Sequence, residues 1–471
     1  MRDNRSRKLR SPGRQSRRPA AGTNVVVSAD DAPREMSLHF VDAQDICHAW
    51  GKVEFGANSL RLVERAHGLS PMRVRGAHPL PDGAWAVYGF LHDKPHASEN
   101  ATWRLVRART WDGIHYEPAE VVFISRPGPW YGEGCVVHRP RDGRLLAFKW
   151  ARSTEDKGHA LWVFDSDDGR TWRPLADRPV YHDHDAFSVI WDEPSGLYVN
   201  FQHTYQVWPQ KPFRDNAGPD IRRVFHIRTS PDGLRWEPSG DVSLRGPKIP
   251  EAALITPDAD DPPEDEFYLF VVFPWAGRYV GMMKHYLPSP PPIYGEGWHG
   301  PHNRGEWWVA RDFRRWRRPY RDVFAPGEAS DVILHPPITV GGRHLWVIGG
   351  NVYGLPENGI FFTGALSNAS FESPLFVAPQ THLYLDAEFN FHGDPRRGFQ
   401  GQSYLMVEVL DEEGRVIEGY ERNKCIFLTS PGRAQLAWRQ ADAIRNMYHI
   451  RGRNVRLRFH LRDARVYAVH T

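Results

Sequence analysis

The chain reads as an all-β protein, a five-bladed β-propeller followed by a C-terminal β-sandwich-like domain. Three observations predict this. A turn motif, Asp-Gly-x-x-Trp in its clearest copies, recurs at blade-like intervals; short β-branched and aromatic runs bounded by Gly, Pro and Asp fill the space between copies; and long amphipathic helical patterns are absent.

The motif copies are Trp111-Asp112-Gly113-Ile114-His115-Tyr116, Asp167-Asp168-Gly169-Arg170-Thr171-Trp172, Pro231-Asp232-Gly233-Leu234-Arg235-Trp236 and the degenerate Arg311-Asp312-Phe313-Arg314-Arg315-Trp316, about 56, 64 and 80 positions apart. Asp accepts backbone N–H bonds in such a turn, Gly supplies a positive φ, and the aromatic residue packs between neighbouring blades. These Asp residues are therefore structural. Strand runs include Trp85–Leu91, Arg144–Trp150, Ala160–Phe164, Gly196–His203, Arg223–Thr229, Glu266–Phe273 and His344–Gly349. Blades are expected to start near Arg73, Glu133, Asp185, Glu251 and Asp331, with a last partial motif near Ile360–Leu366. Five blades fit best, and six is the alternative. After Pro374, the alternating runs Leu383–Phe391, Ser403–Leu410, Arg433–Trp438 and Asn454–Leu461 suggest a sandwich. The expected division is a disordered basic leader over 1–35, the propeller over 36–375 and the sandwich-like unit over 376–471.

Composition agrees with two folded domains. The chain has 471 residues, 41% of them hydrophobic and 13% aromatic, including 18 Trp, which supplies a sizeable core and surfaces that stack on sugars or bases. Net charge is only +3, and part of the basic excess lies in the leader. The body has no Lys/Arg stripe, so nucleic acid is not expected as a partner. No apolar run has the length of a membrane span or the form of a secretory signal, and the three cysteines, Cys47, Cys135 and Cys425, fit neither a disulfide framework nor a metal motif. The expected setting is the cytoplasm, away from membranes; the oligomeric state stays open.

The chemistry is expected where the inner strands of a propeller converge on its axis. Their heads carry Glu133 in Trp130-Tyr131-Gly132-Glu133, Asp185 in His182-Asp183-His184-Asp185, Glu251 in Pro250-Glu251-Ala252, and Asp331 in Ser330-Asp331-Val332. A carboxylate heading an apolar strand is costly to bury unpaired. Several in equivalent places suggest a shared pocket that drives their pKa values apart, leaving one protonated acid and one ionised base, as glycosidic hydrolysis requires. Trp130, Tyr131, Trp275 and Trp298 suit stacking on sugar faces, and His184, His335 and Asp331 suit positioning hydroxyls. The run His182–Asp185 is the one place that suggests a metal; alternation along a strand keeps its four side chains from converging together, and no Cys partner or HExxH pattern accompanies it, so no metal or cofactor is expected.

These turns, blades and strand-leading carboxylates resemble the five-bladed β-propeller glycoside hydrolases, the group containing family 43 arabinanases and xylosidases and family 32 fructosidases. The resemblance runs from about Leu38 to Leu375 and is carried by Ser166–Trp172, Ser230–Trp236 and Phe187–Glu193. The opening Leu38–Asp42 and the ending, Val407–Asp411 with Val455–Ala464, are similar to a bacterial group of family 32-like proteins. The resemblance implies three acids: an Asp on blade one, a tuning Asp on blade two and a proton-donating Glu on blade three. This chain departs from that pattern: at blade one Met72–His78 offers no inner-strand Asp, blade two presents Glu133 and blade three Asp185, so the acids are not reproduced residue by residue. The expectation is a glycoside hydrolase acting on an oligo- or polysaccharide, with Asp185 as base or nucleophile, Glu251 as general acid and Glu133 as an orienting or tuning carboxylate. The alternative is a non-catalytic carbohydrate-binding propeller.

Overall fold

The computed structural model describes residues 36–70, 72–92, 102–125, 130–152, 159–209, 211, 220–238, 249–263, 265–287, 302–321, 324–325, 333–389, 403–430 and 433–471. The expected leader lies outside them. Among the described residues the regular structure is strand, with three short 3-10 turns at Glu251–Ala253, Arg422–Lys424 and Met447–Ile450.

Five antiparallel sheets make the blades. Blade 1 is Val74–Pro79, Trp85–His92, Trp103–Thr110 and Glu120–Ile124. Blade 2 is Trp130–Arg139, Arg144–Arg152 and His159–Ser166, edged by Arg173–Pro174 and Tyr181–His182. Blade 3 is Phe187–Asp192, Leu197–Val207 and Ile221–Ser230. Blade 4 is Glu266–Trp275, Arg278–Leu287 and His302–Ala310, edged by Trp316–Arg317 and Phe324–Ala325. Blade 5 is Ile338–Val340, Arg343–Ile348 and Asn351–Pro356, and its fourth strand is Arg61–Arg65 from the other end of the chain. The outer strand of blade 5 therefore comes from the beginning of the chain, while its third strand, Asn351–Pro356, leads on to Phe361–Ala365.

Apolar seams join the blades in a ring. Tyr88 and Trp103 of blade 1 meet Leu145 and Trp172 of blade 2; Phe148 and Val163 meet Trp191 and Trp236 of blade 3; Phe201 and Phe225 meet Phe270 and Trp308 of blade 4; Phe273 and Trp307 meet Trp346 and Leu355 of blade 5; and Leu345 and Val352 return to Val74 and Val87 of blade 1. Each side chain of this size stabilises the fold by about 1.5–3 kcal/mol when fully buried. Every blade thus has both faces covered by its neighbours.

The repeated turns are part of those seams. In the second copy Asp168 Oδ1 accepts from the N–H groups of Arg170 and Thr171, 2.7 Å each, Gly169 N–H donates to Ser166 Oγ, and Trp172 Nε1 donates to Gly169 O. Those backbone bonds, from Thr171 and then Arg170, hold the Asp168 carboxyl down at about 2. Asp112 and Asp232 make the same pairs of bonds, and Asp312 does so with Phe313 in place of glycine. Each turn docks on the preceding blade: a Cβ on Gly169 would meet Tyr88 Oη, one on Gly233 would meet Leu146, and one on Gly113 would meet Leu345 of blade 5.

The sandwich has two sheets around the core of Phe40, Leu405, Trp438, Leu457, Phe459 and Val466. One contains Glu54–Ala57, Phe361–Ala365, Ala464–His470, Tyr384–Phe389, Arg433–Gln440 and Cys425–Ser430; the other contains Ala49–Trp50, Ala369–Glu372, Asn454–Arg462, Phe376–Val377 and Tyr404–Leu410. Sheet pairing therefore crosses residue 375. Phe361–Ala365, expected as a last blade fragment, pairs with Glu54–Ala57 and Ala464–His470 in the sandwich. Blade 4 also begins later than expected, at Glu266, with Glu251 in the 3-10 turn ahead of it.

Gly169→Ala is expected to cost about 1–3 kcal/mol, because φ is +71° and the new methyl would stand 2.1 Å from Tyr88 Oη. Gly143→Ala, at φ +73° with nothing within 4 Å, isolates the backbone component and should cost less. Denaturant unfolding followed by Trp fluorescence compares the two; equal midpoints would sink the docking role assigned to the turn.

Candidate active site at the head of blade 3

After Tyr181–His182 pairs with Ala160 and Leu161 on blade 2, the chain crosses to the inner strand of blade 3 through residues 183–186. The crossing is pinned at successive residues. Asp183 is buried; its Oδ1 accepts from the His184 N–H at 2.9 Å, while Oδ2 lies 3.1 Å from His226 Nε2 and accepts from Arg228 Nη2 at 3.0 Å. Trp150 Nε1 donates to the Asp183 carbonyl, Gln202 Nε2 donates to the His184 carbonyl at 2.7 Å, and His203 N–H donates to the Ala186 carbonyl at 2.9 Å. Such a network fixes position more than it adds net stability, since burying the charges offsets most of their attraction. Asp185 stands on this rigid stretch with 31% of its side chain exposed.

Toward blade 4 the surroundings change. His203 is buried, its Nδ1 4.0 Å from Asp185 Oδ1. Burial first, then the positive neighbourhood of His184, Arg223 and His226, drives its pKa well below the usual imidazole range, so the ring is neutral. The His184 ring meets Tyr205 edge-on at 3.9 Å between centroids. Beyond them Glu266, at the start of the blade 4 inner strand, is fully buried against Lys211 Nζ at 2.7 Å and against Arg223, whose guanidinium also covers Tyr286. Behind Glu266, His285 bridges Asp265 at 2.6 Å and Glu306 at 2.7 Å, and Arg318 holds Glu306 from the other side. Burial alone would lower the His285 pKa; the two carboxylates outweigh it and raise it.

Of the residues expected at the site, the structure brings His184 and Asp185 together. The backbone places Trp130, Tyr131 and Glu133 on the inner strand of blade 2, which packs beside that of blade 3; the side chains of all three lie outside the described residues. Glu251 heads its 3-10 turn, tied to the third strand of blade 3 by the bridge between Ile255 and Phe225, and its side chain too is outside the described residues, as are Asp331 and Trp298 entirely. His335 is fully buried, with Nδ1 on the Pro336 carbonyl at 2.6 Å and Nε2 accepting from Val347 N–H at 3.1 Å, so both ring nitrogens are used within blade 5. Trp275 is buried at the far end of the inner strand of blade 4, its Nε1 on the Glu357 carbonyl. Ten residues of strand span about 30 Å, which separates Trp275 from the mouth that carries Asp185. The opposite mouth holds a cavity of about 710 Å³ bounded by strand ends of all five blades, among them Pro79, Pro140, Glu193, Pro274 and Pro337.

Sequence reasoning missed His203, His226 and Arg228, and treated Asp183 only as part of a metal-like run. A signal was present: Asn200, Gln202, Thr204, His226 and Arg228 alternate with apolar residues along two strand runs, and polar side chains buried in such runs demand partners.

No protein-family model matches the chain, and no curated protein matches it. Among solved structures the chain is similar to a glycoside hydrolase at 12% identity and TM-score 0.40, covering 64% of this chain and 92% of that one. It is similar to a β-xylosidase at 10% identity and TM-score 0.40, covering 62% and 94%. A β-fructofuranosidase from Bombyx mori is 10% identical at TM-score 0.38, covering 87% and 93%.

Arg228→Met should cost about 3–5 kcal/mol by leaving Asp183 buried with one cation fewer, read as a fall in melting temperature. A second expectation concerns pH. Because the folded pKa of His285 is raised, its stabilisation is fully present below the unfolded value of about 6.5 and is lost as pH climbs through the raised value. The stability gap between the native chain and His285→Gln should therefore be widest near pH 6 and narrow toward pH 9. A gap that widens with pH would contradict the charged bridge.

Proposed function

We propose that this protein hydrolyses glycosidic bonds of an oligo- or polysaccharide at the mouth formed by the inner-strand heads. The observation that carries the reading is Asp185: a partly exposed carboxylate on a main chain pinned at residues 183, 184 and 186, between the strand head that bears Glu133 and the turn that bears Glu251. Acids on adjoining heads supply the pair that the reaction needs, one to protonate the leaving oxygen and one to activate water or attack the anomeric carbon. In this reading Glu251 is the general acid, Asp185 the base or nucleophile, and Glu133 the carboxylate that holds their pKa values apart. Rigid support of Asp185 by Asp183, Gln202 and His203 keeps the carboxylate aligned without reorganisation during the reaction.

The test is hydrolysis of a panel of aryl pentosides, fructosides and hexosides. Asp185→Asn and Glu251→Gln should each lower kcat by about 10²–10⁴-fold, with melting temperatures near that of the native chain. Fully active variants would remove the site assignment, and sugar affinity without turnover in the native chain would favour a binding propeller.

A further inference from the structure

We propose that His184, Asp185 and His203 form a binding site for one divalent cation of the borderline class, with zinc as the probe. One ligand atom from each of the three lies within 4.8 Å of the others, and His203 Nδ1 stands 4.0 Å from Asp185 Oδ1. Strand alternation argued against convergence of the run 182–185, but the third ligand comes from elsewhere. His203 belongs to the second strand of blade 3, and its N–H bond to the Ala186 carbonyl holds that strand against the crossing segment.

His203 is the decisive residue. It is 1% exposed, and among the described residues neither ring nitrogen has a hydrogen-bond partner, an arrangement that is costly for a buried polar group unless something else engages it. An imidazole ligates in its neutral form, through a ring nitrogen that is otherwise unengaged. Two imidazoles and one carboxylate form a nitrogen-rich set that suits zinc and its neighbours; calcium and magnesium take oxygen ligands. Three protein ligands leave a further coordination position for water or a hydroxyl-bearing ligand.

Two other clusters are weaker. Asp261, Asp265 and His285 are already engaged by Arg318, Arg321 and Glu306. Glu64, His67 and His115 are exposed, where such groups often lie close without an ion.

The inference stands apart from the glycosidase reading, since its test is binding and not turnover. It bears on that reading in one respect: an Asp185 held as a ligand is not a free base, so ion-loaded and ion-free protein would differ in hydrolysis.

The experiment titrates the full chain, stripped with chelator, with zinc chloride by calorimetry and with cobalt(II) followed by its visible spectrum. One ion per chain should bind, with ligand-field bands from cobalt. His203→Phe and Asp185→Ala should each weaken binding tenfold or more and abolish the bands, while His115→Ala leaves both intact. Should His203→Phe fail to fold, Asp185→Ala at its partly exposed position reads the same site. The proposal is overturned if no ion binds, if binding survives the folded variants of both residues, or if it disappears in His115→Ala.

Discussion

Arg61–Arg65 lies against Asn351–Pro356, so the beginning of the chain supplies the outer strand of the last blade, whose apolar face closes on the first. Blade 5 has three strands of its own, so without the N-terminal strand its outer edge would stand open. The blades are wedges, each with two apolar faces, and five seams cover ten faces only if the last blade meets the first. Leu345 and Val352 against Val74 and Val87 make that closing seam. The same N-terminal stretch continues the constraint outward, because Glu54–Ala57 adds to Phe361–Ala365 in the sandwich while Ala57 and Leu60 pack into the seam between blades 4 and 5. Propeller and sandwich are thus sewn together through the beginning of the chain.

Closure is what makes a mouth. Inner strands of blades 1 to 4 pack side by side, so that segments far apart in the chain meet there. At the head of blade 3 the polar groups are deeply buried, and their cost decides the local structure. Asp183 is tolerable in the interior only because the Arg228 guanidinium, His226 and the His184 N–H surround it, and together these partners fix the backbone that carries Asp185. Blade 4 repeats the logic with Asp265, His285, Glu306 and Arg318 around the strand that begins at Glu266. Both networks position the mouth; the apolar seams supply the stability.

The two faces of blade 3 divide the labour. Toward blade 2 lies a hydrogen-bonded network of Tyr181, Asn200, Gln202, His226 and Arg228. Toward blade 4 stands His203, buried and neutral, with aromatic rings of Tyr205, Phe225 and Tyr268 around it. A strand places successive side chains on opposite faces, so neighbours Gln202 and His203 serve different surfaces.

The sequence by itself determined the strand runs and the role of the repeated turns, since each is set locally, while it left the blade count between five and six. An Asp accepting N–H bonds two and three residues on, a glycine at positive φ and an aromatic residue closing the turn operate within seven residues, and the pattern survives even where Phe313 replaces glycine. It also marked Asp185, with Glu133, Glu251 and Asp331, because a carboxylate heading an apolar strand is conspicuous. Tertiary structure alone decided the closure by Arg61–Arg65, the sharing of strands across residue 375, the burial of His335 and Trp275, and the meeting of His203 with Asp185. Each of these joins residues whose separation in the chain carries no periodic signal: pairing partners in a closed ring are selected by which edges remain unsatisfied once every other strand has found its neighbour.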